Sequence, residues 1–251
     1  MGARRPATAL LVNPRSGDGK AVRPALAQRA RERGIEPVVL GPGDDLAALA
    51  AQALDGGADA LGMAGGDGSL ATVAAAATER DVPFICIPAG TRNHFALDLG
   101  IVRHDLVGAL DAFTDGLERR IDLGQVNDRP FLNNVSLGIY GEAVRQAGYR
   151  DAKIRTMLQT VDEVLTATVV APGILITDNR AHQHTSPMVV LASNNPYAVD
   201  HPLVVGSRPR LDTGRLGIIV VDRIGAGDSP VFAWSASSVP HRRHRPPTRR
   251  G

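Results

Sequence analysis

The chain has 251 residues and a formal net charge of +2, with 43% hydrophobic but only 4% aromatic residues. These values predict a globular protein with one large or two small domains. No apolar run approaches the roughly 18 residues that a membrane-spanning helix requires, and residues 1–6 lack the features of a secretory signal. The single cysteine, Cys86, cannot form an internal disulfide, so we expect a cytoplasmic protein.

The positive charge is concentrated at one end of the chain. Five of the 28 basic residues fall within the last ten positions. They are Arg242, Arg243, Arg245, Arg249 and Arg250. Without them, 23 basic side chains face 26 acidic ones, a net charge of −3. A nucleic-acid-binding protein would carry a basic patch on its folded surface, so the sequence predicts no nucleic-acid partner.

The first half of the chain alternates short apolar runs with helix-like segments. The predicted strands are residues 7–12, 36–40, 60–64 and 84–87. The predicted helices are residues 21–33, 46–55 and 70–79, the second capped by Asp44 or Asp45. Such alternation predicts βαβ units and an α/β fold, with a doubly wound, mainly parallel sheet.

Three polar loops follow strand ends in this half, at residues 13–20, 65–69 and 88–94. Ligands of parallel α/β sheets bind outside the carboxyl ends of the strands. We therefore expect the three loops to converge on one crevice.

The central loop, Gly65-Gly66-Asp67-Gly68-Ser69, joins a predicted strand to a predicted helix. Unpaired backbone N–H groups and the helix dipole make such a helix N-terminus suitable for an anion, and glycines allow close approach of a phosphate. Asp67 would repel phosphate unless it holds a metal ion, orders a water or accepts a proton. The alternative interpretation is a simple turn with Asp67 capping the helix.

The pattern changes near Leu117, where we expect a domain boundary. Predicted strands at residues 119–126 and 131–139 are joined by a turn, and a helix is expected at residues 140–165. Further strands are expected at residues 169–177, 188–193 and 216–221. Successive strands without helices favour an antiparallel domain. We therefore assign residues 1–116 to an α/β domain, residues 117–234 to a β-rich domain, and residues 235–251, which are rich in Arg and Pro, to a disordered tail.

The loops resemble the catalytic domain of diacylglycerol kinases and their bacterial lipid-kinase relatives, which sphingosine and ceramide kinases share. The similar segments are Asn13-Pro14 with Ser16-Gly17, Gly65 to Ser69, and Pro88 to Ala96. NAD kinases and 6-phosphofructokinases also carry the glycine–glycine–aspartate–glycine sequence. Later segments resemble the β-sandwich domain of the lipid-kinase family, at residues 131–138, 193–197 and 211–216.

The resemblance implies a kinase with ATP and Mg²⁺ in a cleft and a lipid substrate reached peripherally at a membrane surface. It places the nucleotide phosphates against Gly66, Asp67, Gly68 and Ser69, next to Gly65. It places other nucleotide-binding residues nearby, namely Asn13, Ser16, Gly17, Thr91 and Asn93. Asp67 would act in catalysis, through a metal or a proton, and Asp212 would be a metal ligand.

The sequence departs from the family pattern at several positions. Ser69 replaces the usual threonine but keeps its hydroxyl, and Gly41 replaces a threonine that commonly contacts nucleotide. The Asp-Gly pair near a structural magnesium appears as Thr213-Gly214. The late Asp-Gly-Glu segment, which is thought to supply the base, does not occur in this sequence. The arginine–proline tail stands where further strands are expected, which resembles a truncation or an altered reading frame.

Three functions therefore remain open. The first is an ATP-dependent lipid kinase acting on a diacylglycerol-like hydroxyl. The second is a soluble-substrate kinase of the NAD kinase and phosphofructokinase superfamily. The third is a non-catalytic nucleotide-binding protein. An incomplete β-sandwich would leave strand edges and apolar surface exposed, so we expect lower stability than in full-length relatives, and a homodimer is a further expectation.

Overall fold

A computed structural model of the chain describes residues 7–19, 25–138, 175–177, 181, 183–185, 189–198, 207–224 and 231–240. Contacts between residues group these into two units that divide between Asn133 and Asn134. This division lies later in the chain than the expected boundary near Leu117. The expected helix at residues 140–165 lies outside the described residues.

A four-stranded parallel sheet forms the centre of the first unit, in the order β2-β1-β3-β4. The strands are β1 (Ala7–Val12), β2 (Glu36–Val39), β3 (Ala58–Gly65) and β4 (Phe84–Pro88). All three pairings are parallel, with Leu11 aligned to both Val38 and Met63, and Met63 aligned to Cys86. The predicted α/β class and parallel sheet are confirmed.

Five α-helices connect or follow these strands. They are α1 (Leu26–Glu32), α2 (Leu46–Asp55), α3 (Asp67–Glu79), α4 (His94–Asp98) and α5 (Ala112–Asp115). Short 3₁₀ turns occupy Ser16–Gly19 and Gly108–Asp111. Asp45 caps α2, because its carboxylate accepts hydrogen bonds from the N–H groups of Ala47 and Ala48 at 2.9 and 3.2 Å.

The core of this unit follows from the continuous apolar runs of its strands, which are typical of strands covered on both faces. Leu10, Leu11, Leu61 and Met63 are completely buried. Gly62 leaves room in β3 for a neighbour, because a Cβ atom there would collide with the ring of Phe113. The helical segment 108–115 thus packs directly on the sheet.

A small hairpin closes the first unit, formed by β5 (Gly124–Val126) and β6 (Arg129–Phe131). Its two turn residues, Asn127 and Asp128, have φ values of 43° and 62°, as two-residue hairpin turns require. The predicted strand at residues 119–126 is therefore confined to its last three residues.

The second unit is built from antiparallel strands. They are β7 (Asn134–Gly138), β8 (Leu175–Thr177), β9 (Gln183–Thr185), β10 (Val189–Asn194), β11 (Arg215–Ile224) and β12 (Val231–Pro240). Four of them form one sheet in the order β12-β11-β10-β7, and β8 pairs with β9. The expected antiparallel arrangement is confirmed for these described strands.

The expectation of a disordered tail from residue 235 is wrong for its first six residues. Residues 235–240 form the second half of β12 and pair with β11 up to the Arg215–Pro240 register. Composition reports only side chains, whereas a strand is also stabilised by backbone hydrogen bonds to a long neighbour. Residues 241–251 lie outside the described residues.

Candidate active site

The three polar loops meet at the carboxyl end of the parallel sheet. β1 and β4 flank β3, with Val12 aligned to Ala64 and Gly65 aligned to Pro88. The N–H of Asn13 donates to the carbonyl of Ala64 at 3.0 Å, so the first loop begins beside the end of β3. The geometry therefore brings residues 13–19, 65–69 and 88–94 to one edge, where ligands of such sheets bind.

The N-terminus of α3 lies inside the glycine loop. Gly66 is the N-cap residue and makes no side-chain cap, and Asp67 occupies the first turn of the helix. The first backbone bond of the helix runs from Leu70 N–H to the Gly66 carbonyl at 2.9 Å. The helix thus begins three residues earlier than predicted, and Asp67 is not its capping residue.

Space around the loop suits a bound anion. A Cβ atom on Gly68 would meet no atom within 4 Å, and Gly68 is exposed. The first N–H groups of a helix have no intrahelical acceptor and carry the positive end of its dipole. We call residues Gly66 to Ser69 the cradle.

Gly90 forms one wall of the cradle through a backbone-to-backbone contact. A Cβ atom on Gly90 would lie 2.6 Å from Gly66 Cα and 3.3 Å from the Gly65 carbonyl oxygen. No side chain fits there without moving backbone. Sequence reasoning did not select Gly90 as a site residue, although its place directly after β4 was a usable signal.

Asp67 influences two neighbouring titratable groups. Burial raises the pKa of the Cys86 thiol far above its usual range, and the negative charge of Asp67 raises it further. Burial lowers the pKa of His94, and Asp67 opposes that shift. The Oδ1 atom of Asp67 is itself buried, although the residue as a whole is half-buried.

Asn93 was expected to line the cleft, but its side chain is buried instead. It is only 2% exposed, and its Nδ2 donates to the carbonyl oxygens of Pro88 and Gly90, both at 2.8 Å. Thr91, by contrast, is exposed. Of these two residues, Thr91 is therefore the one accessible to a ligand.

The first loop is a tight turn that holds its own polar side chain. Asn13 Oδ1 accepts a hydrogen bond from the N–H of Arg15 at 3.0 Å, and the N–H of Ser16 donates to the Asn13 carbonyl at 3.2 Å. Gly17 continues the turn with a φ of 56°. Asn13 thus shapes the loop, and Ser16 in the same turn is half-buried.

Asp212 belongs to the second unit and is an exposed partner of Arg210, whose Nε donates to Asp212 Oδ1 at 3.0 Å. The neighbouring Thr213 donates both its N–H and its hydroxyl to Asn195 Oδ1, at 2.8 and 2.6 Å. Within the described ranges, no three His, Cys, Asp or Glu side chains gather in a way that could hold a metal ion.

The site lies at the carboxyl end of a parallel α/β sheet, and comparison with known proteins shows which family this unit resembles. Residues 7–126 match the family model described as the diacylglycerol kinase catalytic domain. That segment of the chain is similar to the diacylglycerol kinase catalytic domain.

Curated relatives include several diacylglycerol kinases. A diacylglycerol kinase of Mycobacterium tuberculosis (strain H37Rv) is 37% identical over 122 residues, covering 47% of this chain and 40% of the relative. The Bacillus subtilis (strain 168) diacylglycerol kinase is 34% identical over 122 residues, covering 48% and 39%. A Staphylococcus epidermidis (strain RP62A) diacylglycerol kinase is 27% identical over 204 residues, covering 78% and 62%. The matches thus span about two fifths to three fifths of the relatives' lengths.

Solved structures show the same fold. A diacylglycerol kinase crystal structure from Bacillus anthracis str. Sterne superposes with a TM-score of 0.58 at 22% identity, over 86% of this chain and 73% of that chain. Another structure from the same strain gives a TM-score of 0.59 at 18% identity, over 93% and 95%. At these identities the likeness concerns the fold alone.

Proposed function

We propose that this chain binds ATP with its phosphates against the cradle and transfers the γ-phosphoryl group to the hydroxyl of a diacylglycerol-like lipid. The observation that carries the proposal is the backbone contact between Gly66 and Gly90 at an open helix N-terminus, within the segment that matches the kinase family model. Phosphoryl transfer depends mainly on positioning and charge stabilisation, which this arrangement supplies.

Asp67 fits a role beside Mg²⁺, and Asp212 does not. Asp67 has a buried carboxylate oxygen in the first turn of α3, and Mg²⁺ in phosphate sites is usually held by one or two carboxylates together with substrate oxygens. When bound, the ion would neutralise phosphate charge. Asp212 is instead exposed and occupied by Arg210, so we assign it no metal.

In the proposed transfer, the lipid oxygen forms a bond to the γ-phosphorus while the bond to the β–γ bridging oxygen breaks and ADP leaves. The proton of the lipid hydroxyl must pass to a base. Asp67 is the proposed acceptor, because its carboxylate lies at the cradle where the phosphates would sit. His94 is kept neutral by burial, which lowers its pKa.

One observation favours a second candidate, a nucleotide-binding protein without transfer activity. The resemblance assigns the base to a late Asp-Gly-Glu segment, and that triplet occurs nowhere in the 251 residues. None of the helices in the described part of the chain is long and apolar enough to cross a membrane.

The test is transfer of labelled phosphate from ATP to a total lipid extract supplemented with diacylglycerol. We expect a labelled lipid with the wild type, its loss in Asp67→Asn, and its retention in Asp59→Asn, an exposed carboxylate elsewhere on β3. ATP binding without any labelled lipid would support the second candidate. Label on water-soluble acceptors alone, without detergent or membranes, would indicate a soluble-substrate kinase instead.

A further inference from the structure

We propose that Asn93 is a positioning residue that holds Gly90 against Gly66 and so fixes the wall of the cradle, without itself touching the phosphates. This inference rests on the proposed function, because it assigns the reason for the loop's geometry to ATP binding. The atom that holds Gly90 in place is the carboxamide nitrogen of Asn93.

The hydrogen bonds fix the orientation of the Asn93 amide. Its two partners, the carbonyl oxygens of Pro88 and Gly90, are acceptors only, so the nitrogen must face them. The oxygen then points toward Gly90, where an added Cβ atom would lie 2.7 Å from it. This Oδ1 atom is buried and has no hydrogen-bond partner among the described residues.

The local structure therefore tolerates two unfavourable features at one residue. Asn93 adopts a left-handed conformation with a φ of 50°, and it buries an acceptor that receives no hydrogen bond from the part of the chain that the structure describes. Glycine would adopt this conformation without steric cost and would bury no polar atom. Features of this kind persist where the surrounding structure imposes them, often at functional sites, which indicates that the Asn93 side chain is needed.

The Asn93 side chain is needed because its amide connects two parts of the loop after β4. It ties the last residue of β4, Pro88, to Gly90 two positions later, and Gly90 is the residue that meets Gly66. Without these two bonds, the loop after β4 would be free to move away from the cradle. A side chain that is 2% exposed acts through the backbone it holds rather than through a ligand.

The experiment compares Asn93→Gly with Asn127→Gly in the full chain. Both asparagines have positive φ values, 50° and 43°, but Asn127 lies in the exposed turn between β5 and β6. Binding of a fluorescent ATP analogue and steady-state KM and kcat are measured. We expect Asn93→Gly to raise the Kd and the KM for ATP about tenfold, as the loss of two ordinary hydrogen bonds permits, with kcat close to wild type. Asn127→Gly should change neither constant.

Gly90→Ala tests the same contact from the other side, since its Cβ atom would push against Gly66 Cα. Gly90→Ala should weaken ATP binding. The double variant, which carries both Asn93→Gly and Gly90→Ala, should lose less ATP affinity than the two single effects added together, because both changes disturb one contact. If Asn93→Gly does not fold, normal ATP affinity in a folded Gly90→Ala protein overturns the inference.

Other outcomes separate the inference from the proposed function. Wild-type ATP affinity in Asn93→Gly overturns the inference alone, and so does a lower kcat with an unchanged KM, which would make Asn93 a direct contact of the reacting groups. A wild-type chain that binds no nucleotide overturns the proposed function, and this inference with it.

Discussion

Asp67 is a carboxylate in the first turn of α3, where a negative charge interacts favourably with the helix dipole. Such an interaction contributes about 0.3–1 kcal/mol at an exposed site. A phosphate approaching the same N-terminus would meet this charge, so in the proposed function ATP would need a compensating positive charge. The placement of one residue therefore accounts for why a nucleotide at this site would need a cation.

At the same site, His94 predicts a pH dependence of stability. Burial lowers its pKa in the folded state, so below about pH 6.5 the unfolded chain binds a proton that the folded chain does not. The other charged groups that act on it are Asp67 and Asp98, which oppose the shift, and Arg92 and Arg103, which add to it. Stability should therefore fall as the pH drops from 6.5 to the folded-state pKa and change no further through this group.

We expect His94→Gln to lose less free energy of unfolding than the wild type between pH 7.5 and 5, as measured by urea denaturation. His104→Gln removes an exposed imidazole from the same unit and serves as the control. Parallel pH curves for the wild type and His94→Gln would contradict the prediction.

Single residues also show where sequence reasoning stops. The sequence predicted that the three polar loops meet, because each one follows the carboxyl end of a strand in a parallel sheet. It did not predict that Gly90 packs on Gly66, since that contact joins residues far apart in the chain. The burial of Asn93 was equally hidden, because its backbone conformation depends on the loop around it.

At the level of secondary-structure elements, the segment 108–115 packs against β3 at Gly62. A Cβ atom on Gly62 would collide with the Phe113 ring and lie 3.1 Å from Leu10 Cδ1. We expect Gly62→Ala to lower the free energy of unfolding by about 1–3 kcal/mol, as overpacking generally does. Adding Phe113→Leu should recover part of the loss, with Phe113→Leu alone as the control. Equal stability of Gly62→Ala and the wild type in urea denaturation would contradict this packing.

In the second unit, Thr213 links the turn before β11 to the turn after β10 through Asn195, which is 0% exposed. Thr213→Val removes the 2.6 Å hydroxyl bond and should lower Tm by about 2–4 °C, as the loss of about 1 kcal/mol does at this chain length. Thr114→Val, which removes an exposed hydroxyl bond to Asp111, should have a smaller effect.

Thr213 occupies the position at which the diacylglycerol kinase family has an aspartate near magnesium. Its hydroxyl instead donates a hydrogen bond to Asn195 Oδ1. We therefore expect the Tm of the nucleotide-free chain to be the same with Mg²⁺ and with a chelator. A saturable rise of Tm with Mg²⁺ that Thr213→Val abolishes would show that the second unit binds a cation after all.

Element boundaries were less predictable than element types. Continuous apolar runs revealed β1, β3 and β4, because their burial on both faces leaves a clear pattern. The start of α3 at Asp67 was missed, since two glycines near a helix end resemble a loop. The last part of β12 was missed because its serines carry no strand signal, and its order depends on pairing with β11.

For the whole molecule, we expect the location of the basic residues to affect membrane binding more than the net charge does. Removal of residues 241–251 takes away five arginines and changes the net charge from +2 to −3. We expect this truncation to weaken binding to anionic vesicles, since each basic residue near such a surface contributes about 1 kcal/mol. Vesicle co-sedimentation at low and high salt measures the effect, and unchanged binding would contradict it.

The truncation point is set by the fold. Removal of residues 241–251 leaves β12 complete and keeps its pairing with β11. Removal of residues 235–251 takes away half of β12 together with the same arginines. A lower Tm in the second truncation alone would separate the electrostatic contribution of the tail from the structural one of the strand.

The Cys86 thiol can report how often β4 becomes exposed to solvent. It is the one cysteine of the sequence, it is buried in β4, and burial raises the pKa of its thiol, so reagents for thiolates reach it only when that strand is exposed. β4 ends at Pro88, two positions before Gly90. The rate of thiol labelling in the native protein therefore measures how often the strand beside the cradle opens, and ATP that binds there should slow it.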